Sequence, residues 1–137
     1  MDKQYIEKIT AILEKEYYDA ECELEYITPF ELLISTILSA QCTDRRVNLV
    51  TAKLFPFYNK PEDYIGLGEE KLGELIKECG LYRTKSKNII RMCKKLIENY
   101  GGEVPKDFDE LVKLPGVGRK TANVVLSNAF EIPAIAV

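Results

Sequence analysis

A lysine placed just after a glycine-rich turn is the residue with the clearest chemical potential in this sequence. Residues 114–118 read Leu-Pro-Gly-Val-Gly, and Arg119, Lys120 and Thr121 follow directly. Gly116 and Gly118 flank one apolar residue, Val117, which lets the backbone turn tightly before a segment of helical periodicity. The first backbone N–H groups of a helix have no intrahelical partner, and glycines leave room for an anionic oxygen to approach them at the positive end of the helix dipole. Gly116, Val117, Gly118, Arg119 and Thr121 are therefore candidates for holding a phosphate group. Lys120 adds an amine, which can attack an electron-poor carbon and form a Schiff base. A free lysine with a pKa of ~10.4 is only about 0.04% neutral at pH 7, so a nucleophilic amine needs surroundings that disfavour the ammonium. The first turn of a helix, an adjacent guanidinium and partial burial are such surroundings. The plain alternative is an ordinary turn between two helices.

Charge is unevenly spread along the chain. Residues 83–95 carry Arg83, Lys85, Lys87, Arg91, Lys94 and Lys95 with no acid, whereas residues 14–31 carry seven carboxylates against one lysine. The net charge of −3 weighs against an anionic polymer as partner, but the segregation allows one basic face, with Lys87 and Arg91 on it, in an acidic molecule. Read alone, that run is equally well a solvated helix face. The four cysteines, Cys22, Cys42, Cys79 and Cys93, are far from ligand spacing and the chain has no histidine, so no metal or cofactor is expected on it. Small, buried, reduced side chains are the expected state of these thiols.

The elements that must position these residues all read at 3.6 residues per turn. Asp2 can cap a first helix with Tyr5, Ile6, Ile9, Ile12, Leu13 and Tyr17 on one stripe. Thr28, Pro29 and Glu31 form a helix start with a capping box, and residues 30–40 are apolar nearly all round, as a central helix would be. Thr43 or Asp44 opens a helix bearing Val47, Val50 and Leu54, and a short turn is expected at residues 61–65. Leu72, Leu75, Ile76 and Cys79 share the next apolar face, closed by a left-handed Gly80. Residues 85–100 form a helix with Ile89, Cys93, Leu96, Ile97 and Tyr100 inward and the basic residues outward, and Asp107 with Glu110 makes a second capping box. No segment alternates like a half-buried strand, so the fold is expected to be all-α.

At 137 residues and 46% hydrophobic content the chain has room for one main core. It carries no apolar run long enough to span a membrane and no leader-like N-terminus, so a soluble, cytoplasmic protein without membrane association is expected. The last residues, Ile132-Pro133-Ala134-Ile135-Ala136-Val137, are apolar with nothing after them, which suggests that the sequence stops inside a folded body.

The stretch LPGVGRKTA at residues 114–122 resembles the helix-hairpin-helix of the endonuclease III family of DNA glycosylases with strand-nicking (AP lyase) activity. Leu38-Ser39-Ala40-Gln41-Cys42-Thr43-Asp44 and Gly80-Leu81-Tyr82 are similar to two further segments of that family, in family order. The resemblance implies a six-helix domain over residues 28–137 with its hairpin at about 107–129, and assigns residues 1–27 to an incomplete second lobe. It makes Lys120 the catalytic nucleophile. It gives Gln41 the task of filling the gap left by an extruded nucleotide and Leu81 that of wedging into the duplex, while Lys87, Arg91 and the hairpin hold phosphates. The implied partner is double-stranded DNA with a damaged base, oxidised pyrimidines above all, or an abasic site, met by a monomer in the cytoplasm or on a nucleoid. The aspartate that partners the lysine would come directly after Val137, and a 4Fe-4S cluster is expected only in a longer parent, through C-terminal cysteines absent here. Three alternatives remain open at the level of sequence: a non-enzymatic DNA-binding module, a mismatch glycosylase without a covalent intermediate, and a helical protein-interaction domain.

Overall fold

Each helix start is written in its local sequence. In a computed structural model that describes residues 23–130, Thr28 Oγ1 accepts the N–H of Glu31 at 3.2 Å and so caps α1 (Pro29–Leu38). The Glu31 carboxylate accepts the N–H of Ile27 at 2.9 Å, one residue further back than a capping box requires. Every residue of α1 from Phe30 to Leu38 is buried, as its uninterrupted apolar character demands. Thr43 caps α2 (Asp44–Leu54) through the N–H of Arg46. Pro61 opens α3 (Pro61–Leu67), where the Asp63 carboxylate accepts the N–H groups of Asn59 and Lys60. This helix is longer than the short turn the sequence suggests.

After α4 (Glu69–Leu75) the chain tightens into a 3₁₀ turn, Lys77–Cys79, and then enters the long helix α5 (Tyr82–Tyr100). Asp107 caps α6 (Phe108–Val112) through the N–H of Glu110 at 3.0 Å, and α7 (Arg119–Ala129) follows the glycine turn. The Glu110 side chain does not complete a box. Its carboxylate accepts from the Tyr100 hydroxyl at 2.6 Å and from Lys113 at 2.8 Å, which ties α6 to the end of α5.

The described residues form helices and no strand, in agreement with the all-α expectation. α5 packs against α3, α4 and α1, while α7 packs against α1 and α6, so α1 lies between the two halves of the core. Leu32, Leu33, Ile34, Leu38, Leu72, Ile76, Ile89, Met92, Leu96 and Leu111 are fully buried, each worth roughly 1.5–3 kcal/mol of transfer free energy. No helix among the described residues is long and apolar enough to cross a membrane.

Three expectations about facing need correction. α5 starts at Tyr82 rather than Lys85, and Lys85 points into the core with only 4% of its surface exposed. It lies four, eight and eleven residues before Ile89, Cys93 and Leu96, on the stripe those residues bury, so geometry overrides charge. Ile97 is exposed because it stands one residue past Leu96, about 100° round the helix, and Ile90 and Met92 are buried instead. Leu75 is exposed because the helix ends there and the 3₁₀ turn carries Cys79 inward on a different path. The expected first helix and the residues 131–137 lie outside the described part of the chain.

Candidate functional site

The glycine turn is anchored from below and open above. Leu114 and Val117 are buried, and the Val117 N–H donates to the Leu114 carbonyl at 3.1 Å. Gly116 adopts φ +80°, and a Cβ on it would stand 3.0 Å from the Cβ of Asn88, so the turn rests directly on α5. Gly118 is the extended N-cap of α7 and offers no side chain to the first-turn N–H groups. Gly116, Gly118, Arg119 and Lys120 are exposed, and Thr121 is half-buried. These amides therefore stand at the surface beside the positive end of an eleven-residue helix.

Lys120 forms no hydrogen bond or ion pair within the described residues, so its amine is available. It is exposed there, without the partial burial that helps a lysine act as a nucleophile. The Arg119 guanidinium lies over the Phe108 ring at 5.8 Å, which joins the two helices of the hairpin and holds a second cation beside Lys120.

Because Asn88 supports Gly116, its neighbours on α5 flank the hairpin. Lys87 and Arg91 are four residues apart, share a face, are exposed and make no ion pair within the described residues. Both thus stand within one turn of Asn88, the residue on which Gly116 rests.

Gln41 and Leu81 share an unusual backbone. Gln41 has φ +54° and Leu81 φ +48°, and no other described non-glycine residue has positive φ. For an L-residue this conformation costs roughly 1–2 kcal/mol, and it persists where the surroundings impose it, often at functional sites. Both side chains are exposed, Leu81 by 52%. Leu81 is therefore not the buried apolar neighbour of a C-capping glycine. Gly80 has positive φ but extended ψ, so the left-handed residue expected at Gly80 is Leu81 instead.

Sequence reasoning missed Lys85 and Asn88 as parts of this arrangement. The Lys85 ammonium donates to the carbonyls of Leu38 at 2.7 Å and Cys79 at 2.9 Å. Burial lowers its pKa, while the nearby Cys79 and Cys42 thiols oppose that shift. Its place on an apolar stripe was the signal available in the sequence; the Gly116–Asn88 contact, being long-range, left none. α5 is the common spine: its start carries Leu81 and Lys85, its middle Lys87, Asn88 and Arg91, and its end is tied to the hairpin through Tyr100.

Burial pushes the Cys79 thiol up to about 12, with Cys42 adding to the shift, and burial also raises the Cys93 thiol. Both thiols are held protonated as packing groups. No three His, Cys, Asp or Glu side chains among the described residues gather as metal ligands.

A hairpin seated on a basic helix, followed by a helix that opens with an exposed lysine, defines an all-helical domain of the helix-hairpin-helix type. Residues 34–137 match the family model for the HhH-GPD superfamily base excision DNA repair protein, and the chain belongs to that superfamily. It is 63% identical over 118 residues to Endonuclease III of Bacillus subtilis, covering 86% of this chain and 54% of that protein. The Rickettsia conorii Endonuclease III is 52% identical over 137 residues, covering 100% of this chain and 65% of the relative. The chain thus spans between about half and two thirds of the length of these relatives. Among solved structures, a non-covalent Endonuclease III-DNA complex superposes with a TM-score of 0.83 at 55% identity, over 100% of this chain and 64% of that one. A thermostable thymine-DNA glycosylase superposes at 0.76 with 26% identity, over 95% and 59%.

Proposed function

We propose that this chain is the DNA-contacting and lysine-bearing part of a base-excision repair glycosylase that also nicks the strand, acting on damaged bases with oxidised pyrimidines foremost. The observation that carries this reading is the unpaired, exposed Lys120 in the first turn of α7, among first-turn amides that have no intrahelical partner. The duplex lies across the hairpin, Lys87 and Arg91, and the damaged nucleotide is flipped out because its C1′ is otherwise out of reach. Gln41 and Leu81 fill the space it leaves. The neutral Lys120 amine bonds to C1′ as the N-glycosidic bond breaks, and the base departs with that electron pair and a proton. The sugar ring opens to a Schiff base; loss of a C2′ proton then expels the 3′ phosphate. A carboxylate directly past Val137 is expected to support the sugar's positive charge. The working protein is a monomer in the cytoplasm, and any 4Fe-4S cluster belongs to cysteines beyond this sequence.

The test is a duplex with one oxidised pyrimidine or one abasic site, given to this chain and to its full reading frame side by side. Base release followed by cleavage 3′ to the site supports the proposal. Base release without cleavage points to the hydrolytic mode, and tight binding with neither reduces the domain to a binding module.

Two variants examine its parts. Lys87→Glu combined with Arg91→Glu should weaken binding to all sequences alike and flatten the log–log salt dependence by roughly 2, about 0.9 for each lost phosphate contact. An unchanged slope in a filter-binding or anisotropy titration places the DNA elsewhere. Leu81→Ala should slow excision roughly tenfold while affinity for undamaged duplex stays within about twofold, because the wedge acts after docking. If affinity collapses together with the melting temperature, Leu81 serves packing only.

A further inference from the structure

Lys85 is a buried cation on the apolar stripe of α5, where a methionine or leucine would pack without the cost of desolvating a charge. Its two carbonyl partners are informative. Leu38 ends α1, three residues before Gln41, and Cys79 ends the 3₁₀ turn, two residues before Leu81. The last carbonyls of a helix lack intrahelical partners and attract a cation, so the ammonium satisfies the root of each segment at once. What faces it beyond these carbonyls is the thiol pair Cys42 and Cys79, with no carboxylate paired to it among the described residues. The two segments that it joins carry the only described non-glycine residues with positive φ, and both expose their side chains.

Resting on the reading of Gln41 and Leu81 as the residues that fill the emptied duplex, we propose that Lys85 is a positioning residue that fixes the spacing of these two tips, so that they enter the duplex together. It touches neither substrate nor phosphate. Its effect is confined to the step in which a stacked nucleotide is displaced, and docking of the hairpin proceeds without it.

The experiment uses the full reading frame and two substitutions. Lys85→Met keeps length and apolarity but removes both hydrogen bonds, whereas Lys85→Gln can still donate to two carbonyls from one amide. Single-turnover excision is measured on a fully paired duplex and on the same damaged base already unstacked in a small bubble, alongside affinity for undamaged duplex and thermal unfolding. Lys85→Met should slow excision roughly tenfold or more on the duplex and less than about threefold on the bubble, with affinity within about twofold and partial recovery in Lys85→Gln. Equal slowing on both substrates, or none on either, overturns the proposal, and so does unfolding of both variants, which assigns Lys85 to the stability of the fold. Gln41→Ala and Leu81→Ala are measured in parallel. If both excise at the wild-type rate, the gap-filling reading itself fails; if they slow while Lys85→Met does not, only the positioning role falls.

Discussion

Lys120→Ala is expected to abolish the covalent adduct that borohydride traps between the protein and abasic DNA, with strand nicking falling at least roughly a thousandfold, as removal of a nucleophile does. Lys120 is exposed and makes no hydrogen bond or ion pair within the described residues, so its loss should change folding stability by no more than about 0.5 kcal/mol. Duplex affinity should fall only slightly, since the hairpin amides and α5 remain. An abasic site is the informative substrate because its open-chain aldehyde condenses with a well-placed amine without a base having to be expelled. With the carboxylate expected past Val137, the full reading frame should give a strong adduct, residues 1–137 a weak one and the alanine variant none. An adduct of equal strength in Lys120→Ala would remove this lysine from the mechanism and leave a binding domain with incidental amine chemistry.

Gly116→Ala should damage binding and stability together. The residue sits at φ +80°, which an alanine adopts at a cost of roughly 1–2 kcal/mol, and the added methyl would stand 3.0 Å from the Asn88 Cβ. Either the turn lifts off α5 or α5 moves. The melting temperature should drop by several degrees, at roughly 3–5 °C per kcal/mol for a domain of this size. Affinity for every duplex sequence should fall, because the turn amides shift from their seat on α5. Asn88→Gly separates the two causes: it removes the colliding atoms, so the double variant should be less destabilised than the sum of the two single changes. Strict additivity would show that the turn does not rest on α5.

How much of this was legible beforehand follows from how local each feature is. Thr28, Thr43 and Asp107 announce their helices because the capping oxygen and the N–H it accepts lie three residues apart. The hairpin and its lysine form one contiguous motif, and the exposure of Gln41 and Leu81 suits the roles their segments suggest. Lys85 has the residue type of a surface charge but the position of a core residue, and its spacing to Ile89, Cys93 and Leu96 decides its burial. Leu81 was harder. Nothing in a leucine favours the left-handed backbone that Leu81 adopts between the 3₁₀ turn and α5. The seat of Gly116 on Asn88 joins residues 28 positions apart, and no periodicity encodes such a pairing.

The left-handed backbone at Gln41 and Leu81 sets a conflict for anyone who evolves or engineers this domain. Glycine adopts that conformation without the Cβ penalty, so at both positions it would relieve about 1 kcal/mol of strain, offset in part by its greater freedom in the unfolded chain. A selection for heat resistance alone therefore pulls these sites toward glycine and erases the side chains to which the proposed gap-filling role falls, whereas a selection for that role keeps them bulky and the backbone tense. Thermostable libraries of this fold need these two codons held constant.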